Sequence, residues 1–286
     1  MKEALYYQVR EKNQILCELC PHSCIIKPGA RGFCRVRENR DGVLFSLNYG
    51  QVTALALDPI EKKPLYHFLP GSKILSVGTF GCNFHCGFCQ NWQIAHQSTA
   101  GEYVTPEKLA SLAVEMVPKG SIGIAYTYSE PLMWYEYVLA AAQKVQEAGL
   151  KNVLVTNGYI QEEPFRSLLP YIDALNIDVK GFTEEFYQKV VKGKLAPVLK
   201  SAETAYREGK HLELTTLLIP GLNDSEKEIE ALVNWISANL GTEVPVHFSR
   251  YFPQYQMDIP PTPIETMYRA REIAGKKLKH VYLGNV

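Results

Sequence analysis

Net charge is the first thing this 286-residue chain lacks: Lys plus Arg and Asp plus Glu stand at 30 each. Without a basic excess the sequence does not read as a general nucleic-acid binder, and it carries no acidic tail. Long apolar runs are missing too. Nowhere do about 18 uncharged apolar residues follow one another, so no membrane-spanning helix is expected. The opening Met1-Lys2-Glu3-Ala4-Leu5-Tyr6-Tyr7 holds no apolar core of export-signal length, and Glu11 and Lys12 follow closely. The expectation is a cytoplasmic protein with neither nucleic acid nor membrane as a partner. With 46% hydrophobic and 21% charged residues, the composition is that of a globular chain. A chain this long buries roughly three quarters of its unfolded surface and needs no disulfide or metal merely to fold.

Cysteine is absent after Cys89, yet seven cysteines lie between Cys17 and Cys89. An odd number with no export signal argues against a disulfide framework. Cys17, Cys20, Cys24 and Cys34 follow Cys-x2-Cys-x3-Cys-x9-Cys, and Cys82, Cys86 and Cys89 follow Cys-x3-Cys-x2-Cys. The second group comes just after Ile74-Leu75-Ser76-Val77-Gly78, a short apolar run that reads as a buried strand. Three thiolates on one such loop hold three irons of a [4Fe–4S] cluster, whose usual complement is four Cys. The iron left over is an open coordination position, the mark of a site that meets substrate. A free iron can take a ligand with an amino and a carboxylate group, and S-adenosylmethionine has both. Three buried structural cysteines or a partial zinc site would explain neither the clustering nor the aromatic Phe88 before the last Cys.

This Cys-x3-Cys-x-aromatic-Cys loop resembles the signature of the radical S-adenosylmethionine (SAM) superfamily. From residue 73 onward, β-rich runs alternate with helical patterns, as in βα units on a parallel sheet. Strands are expected at Lys73–Val77, Ile122–Tyr126, Asn152–Thr156, Ala174–Val179, Leu212–Ile219 and Val244–Phe248, with Val281-Tyr282-Leu283 as a further short one. Helices are expected from Thr105-Pro106-Glu107, from Glu130-Pro131 to Gly149, over about 197–208, from Asn223-Asp224-Ser225-Glu226 to about Leu240, and from Thr262-x-x-Glu265 (a capping box) to Gly275. The expected fold is α/β: a partial (β/α)6 TIM-like barrel over 71–286, preceded by a small Cys-rich segment over 1–70.

In such barrels active-site groups sit at the C-terminal strand ends. Those ends supply Ser129 and Glu130 after the second strand, where the superfamily has Gly-Gly-Glu against the methionine amino group. They supply Thr156 and Asn157 after the third, similar to the Asp-Thr-Asn-Gly of glycyl-radical activating enzymes but with Val155 for the Asp. Asp178 and Lys180 after the fourth resemble the Asp-x-Lys that reaches ribose and carboxylate. Gly221 in Ile-Pro-Gly is implied to pack on adenine, and His247 in Pro-x-His to touch carboxylate or ribose. Structural alternatives stand beside these: an ion pair for Asp178 and Lys180, a plain turn for Gly221, a core role for His247, and a helix start for Glu130.

The first 70 residues show little periodicity, with Gly and Pro every few residues round the cysteines, as in a loop-rich fold held by a bound metal. Four thiolates there fit a closed zinc site or a second [4Fe–4S] cluster, or remain free thiols. Leu44–Leu47 and Val52–Leu55 are expected to pair as a hairpin round Asn48-Tyr49-Gly50. Cys-x-Leu-Cys-Pro-His-x-Cys, Asp-Pro-Ile-Glu-Lys-Lys-Pro-Leu, Cys-Gly-Phe-Cys-Gln-Asn-Trp and Tyr-Thr-Tyr-x-Glu-Pro together resemble the pyruvate formate-lyase activating enzyme-like proteins of the AmmeMemoRadiSam system. That resemblance implies reductive SAM cleavage to a 5′-deoxyadenosyl radical, hydrogen abstraction from a protein or small molecule, and a reductant such as flavodoxin or ferredoxin. It also implies AMMECR-like and Memo-like partners. A glycyl-radical enzyme activase is the nearest alternative, and a non-catalytic iron–sulfur or zinc scaffold the alternative from another class.

Overall fold

The computed structural model describes residues 1–97 and 101–286. Its centre is an eight-stranded sheet in which β-branched and leucine-rich runs with few charges become buried strands, as expected where helices cover the outer face. In chain order the strands are β1 (Ala54–Pro59), β2 (Lys73–Gly78), β3 (Ser121–Tyr126), β4 (Lys151–Thr156), β5 (Ala174–Asp178), β6 (His211–Leu218), β7 (Val246–Arg250) and β8 (Val281–Gly284). Neighbours in sequence are neighbours in space from β1 to β8; β1 runs antiparallel to β2, and every later pair is parallel. This is the partial barrel: the six strands expected, the further short one as β8, and β1 added as an antiparallel edge.

The crossovers are α1 (Pro106–Glu115), α2 (Tyr135–Glu147), α3 (Glu162–Leu168), α4 (Leu195–Arg207), α5 (Glu226–Asn239) and α6 (Ile264–Gly275). Thr105 caps α1 by accepting from the Lys108 amide, with Pro106 as the first helical residue. Ser225 caps α5 through the Glu228 amide. Two local readings are corrected. The hairpin in the first 70 residues pairs Arg37–Arg40 with Val43–Ser46, while 54–59 leaves that region to pair with β2. The α6 capping box does not form, because the Thr262 hydroxyl donates to the Leu218 carbonyl (2.6 Å) and accepts from the Tyr251 amide (3.0 Å), binding loop to strand instead.

The N-terminal mouth of the barrel is plugged by the chain after β1. Glu213 on β6, wholly buried, accepts from the amides of Tyr66 (3.0 Å) and His67 (2.7 Å), and Asn176 on β5 donates to the Pro64 carbonyl (2.8 Å). Solvent therefore reaches the interior from the other end.

Candidate active site

Side chains on a strand alternate between faces, so the inward residues of each strand form layers, and the uppermost layer meets the loops. Here the loops enclose a cavity of about 230 Å³. Its walls include Cys82, Cys86, Phe88 and Cys89 from the loop after β2, Tyr128, Ser129 and Glu130 after β3, and Thr156 and Asn157 at and after β4. Asp178 at the end of β5 and Lys180 just beyond it complete the set. Ten residues nominated from sequence thus share one wall. Residues that sequence reasoning missed also line it: Gln90, Asn91, His96, Thr127, Thr215, Leu217, Ser249 and Asn285. Period-two extension along β6 and β7 would have found Thr215, Leu217 and Ser249.

The cysteine loop is fixed from several sides. Gly81 holds a φ of +98°, and a Cβ there would press into Val36 and sit 3.3 Å from the Cys34 carbonyl oxygen. The Phe84 amide points at Cys82 Sγ (3.3 Å), as does Asn157 Nδ2 (3.8 Å). Asn157 is itself oriented: Nδ2 donates to Asn83 Oδ1 (2.9 Å), and Oδ1 accepts from the Tyr159 amide (2.8 Å). Burial pushes all three thiols up, Cys86 to about 12 against the pull of Lys180, and Cys82 well above its ordinary range. Left to the protein alone these sulfurs stay protonated; a cationic iron–sulfur core would supply the missing charge. The donor set fits a [4Fe–4S] cluster bound through three thiolates.

Asp178 and Lys180 form an ion pair, yet Asp178 Oδ1 is buried without a hydrogen-bond partner, and so is Thr215 Oγ1 beside it in the wall. Such orphans are uncommon in folded proteins and suit a bound ligand. Burial works against the Lys180 charge, but Asp178 and the Cys86 sulfur outweigh it and hold the ammonium above its ordinary range.

Glu130 is 1% exposed, and burial pushes its carboxyl up to about 7. Its oxygens accept from the Leu132 amide (3.0 Å), the Thr156 hydroxyl (2.6 Å) and the Asn157 amide (2.8 Å). The helix-start role is therefore real, and the same carboxylate clamps the β3 and β4 loops together. Ser129 donates to the Thr79 carbonyl (2.5 Å). Tyr128 keeps a left-handed φ of +73°, the backbone a glycine adopts freely. Its hydroxyl donates to Asp58 Oδ2 (3.0 Å), which also accepts from the buried Lys63 ammonium (2.9 Å).

Two nominated residues lie elsewhere. His247 is one layer below Ser249, where Nε2 meets Glu213 Oε2 at 2.6 Å and the ring stacks on Tyr282. Gly221 does not line the cavity; its amide donates to Asp224 (2.8 Å) in a turn shaped by Asn223, which bonds the carbonyls of Lys180 and Leu217. Both follow the structural alternative.

The N-terminal cysteines are also withdrawn from water: Cys17, Cys20 and Cys34 are buried and Cys24 is half-buried. After burial itself, the neighbouring sulfurs are among the influences that raise these thiols, Cys34 to about 11.

An uncharacterized protein of Methanocaldococcus jannaschii is 44% identical over the whole of this chain and 86% of its own length. The 4-hydroxyphenylacetate decarboxylase activating enzyme of Clostridium scatologenes is 27% identical, over 56% of this chain and 51% of the relative. The (2S)-3-sulfopropanediol dehydratase activating enzyme of Klebsiella oxytoca is 26% identical over 43% of this chain and 38% of the relative. The chain thus spans about half or less of these two activating enzymes. Among solved structures, SuiB of Streptococcus suis bound to S-adenosylmethionine superposes with a TM-score of 0.59 at 14% identity, over 74% of this chain and 52% of that one. A domain of a pyruvate-formate lyase-activating enzyme from Bacteroides vulgatus gives 0.50 at 17%, over 57% and 99%. The sequence pattern of the Radical SAM superfamily matches residues 76–236, from within β2 through most of α5. With three thiols around the cavity where that pattern begins, the chain belongs to the radical SAM superfamily, whose members work with a [4Fe–4S] cluster and S-adenosylmethionine.

Proposed function

We propose that this protein is a radical SAM enzyme that takes a hydrogen atom from a protein or small-molecule substrate, in the pyruvate formate-lyase activating enzyme-like branch of the AmmeMemoRadiSam system. The observation that carries the reading is the three-thiol wall facing Asp178 Oδ1 and Thr215 Oγ1, polar atoms buried with nothing to bind. A bound cluster and SAM would supply the hard chemistry, a one-electron reductive cleavage of the sulfonium that yields methionine and a 5′-deoxyadenosyl radical able to take the substrate's hydrogen.

The protein's part is placement and exclusion. Cys82, Cys86 and Cys89 hold the cluster, and the Phe84 amide and Asn157 orient the first of these sulfurs. Lys180 would offset thiolate charge, and Asp178 and Thr215, with their unpartnered oxygens, would take polar groups of SAM. Ser129, Glu130 and Thr156 shape the wall on which its methionine end rests. Phe88 and Tyr128, which line the cavity, would keep water and stray hydrogen donors from the reacting carbon.

The branch is supported by the Cys-rich opening and by Asp58-Pro59-Ile60-Glu61-Lys62-Lys63-Pro64-Leu65, whose Asp58 and Lys63 support Tyr128. AMMECR-like and Memo-like partners and a flavodoxin or ferredoxin as reductant belong to the same proposal. Protein reconstituted without air, reduced and given SAM is expected to release 5′-deoxyadenosine and methionine, and Cys86→Ala to release neither. Release by Cys86→Ala at the wild-type rate, or metal bound without any SAM cleavage, would overturn the reading, the latter in favour of a scaffold.

A further inference from the structure

Four thiols outside the barrel are left without a role by this reading, and their surroundings are built for more than packing. Cys17 ends the strand Ile15–Cys17, and its amide donates to the Cys24 carbonyl (2.9 Å), which closes the loop that carries Cys20. Ser23 and Arg35, flanking Cys24 and Cys34, hold positive φ of 45° and 65°, conformations that non-glycine residues seldom adopt outside tight turns. The Phe33 amide points at Cys24 Sγ (3.5 Å), the kind of donor a thiolate accepts. Arg37 is 1% exposed, its charge works against the burial that raises the Cys17 and Cys34 thiols, and its Nε is buried without a hydrogen-bond partner.

Among the described residues, no three His, Cys, Asp or Glu side chains draw together as one metal ion requires. A structural zinc site gathers four ligands about 2.0–2.3 Å from a single ion. Cys82, Cys86 and Cys89 are no more gathered round one ion, and the four N-terminal thiols match in number the full cysteine complement of a [4Fe–4S] cluster.

The knuckle also rests directly on the barrel's cysteine loop. His22 Nε2 meets the carbonyl of Asn83, the residue after Cys82, at 2.8 Å. The Gln161 amide donates to the Leu19 carbonyl (3.0 Å), and Phe33 stacks on His85 with centroids 4.1 Å apart. From Cys20 through Pro21 and His22, one hydrogen bond leads to the backbone of Asn83, the residue next to Cys82.

We infer that Cys17, Cys20, Cys24 and Cys34 hold a second [4Fe–4S] cluster that passes electrons to the barrel cluster through the His22–Asn83 contact. A reduced low-potential carrier gives up one electron, the N-terminal cluster takes it and hands it on, and no bond or proton changes on the way. Half-exposed Cys24 is the side the carrier approaches. The relay rests on the radical SAM reading for its acceptor; the second cluster itself does not.

The experiment separates the two. Reconstituted without air, a Cys82→Ala/Cys86→Ala/Cys89→Ala variant is expected to retain about four irons per chain and, when reduced, the electron paramagnetic resonance of a [4Fe–4S] cluster. Zinc or no metal in that variant overturns the second cluster, whatever the wild type does with SAM. His22 is not a thiol ligand, so His22→Ala is expected to keep both clusters. Its 5′-deoxyadenosine formation should match the wild type with titanium(III) citrate and fall about 10- to 100-fold with reduced flavodoxin, the usual cost of losing an outer-shell partner. Equal retention with both reductants overturns the relay. A merely structural role for His22 would lower both rates together, and that result overturns it as well.

Discussion

His247 shows how one side chain can be nominated for the right barrel and the wrong layer. Its strand runs to Arg250, so the residue that meets the cavity is Ser249, and His247 belongs to the floor with Glu213. A sequence gives the alternation of faces but not the length by which a strand overshoots, and one inward step is two residues. The cysteines, Glu130, Asp178 and Lys180 were legible because each lies in a short motif whose chemistry is local. The floor gives a test. Burial alone would raise the Glu213 carboxyl, but the bonds from His211, His247 and the His67 and Tyr66 amides outweigh it and hold it at about 2 against an ordinary 4.5. A carboxyl depressed in the folded state contributes stability that is complete above the unfolded value and lost as pH falls through the folded one. Urea unfolding from pH 6 toward pH 2 should therefore show the wild type losing about 3 kcal/mol that Glu213→Gln does not lose, because a carboxamide at that position has no proton to take up. His247→Gln should lower the melting temperature and leave SAM affinity unchanged; a weakened SAM affinity would return His247 to the cofactor site.

The strands and longer helices were legible because apolar runs, caps and glycine stops act within a few residues. Elements whose partners are remote were not. β1 reads as half of a local hairpin yet pairs with β2, and α3 carries no cap that its own sequence announces. The loop after β2 is such an element, since its shape depends on the N-terminal segment packed on it. Gly81 is the point of contact, with φ of +98° and Val36 in the space a side chain would need. Gly120 has a similar φ of +89° with nothing within 4 Å of where a Cβ would stand, so it isolates the backbone cost. Gly120→Ala should lose about 1–2 kcal/mol for the left-handed conformation. Gly81→Ala should lose more, and it should bind less iron at the barrel site because Cys82 moves with it. Equal losses in calorimetry with unchanged iron content would show that the N-terminal segment does not set the cysteine loop.

The molecule is joined across its two Cys-bearing regions by a buried ion pair. Arg37 and Glu136, 1% and 5% exposed, meet at 2.6 Å between the N-terminal hairpin and the first turn of α2. The same guanidinium donates to the Leu5 carbonyl (3.0 Å), and Glu136 accepts from the Leu5 amide (2.8 Å). Nothing in the sequence announced this pair, because its members are 99 positions apart and each alone looks like a surface charge. Two charges withdrawn from water are costly, and their attraction repays that cost only while both are present. Arg37→Met strands a carboxylate in the interior and should destabilise the fold by about 3–5 kcal/mol in urea titration. Arg37→Met with Glu136→Leu removes both charges and should recover much of that loss, although the Leu5 amide then lacks its acceptor, at about 1–3 kcal/mol. If the pair instead only decorates the junction, the single variant will unfold within about 1 kcal/mol of the wild type, as exposed pairs do. Proteolysis supplies the second readout: cleavage in the first 50 residues should quicken in Arg37→Met before the barrel is cut, because β1 to β8 keep their own ladder of backbone bonds when the N-terminal segment lifts away.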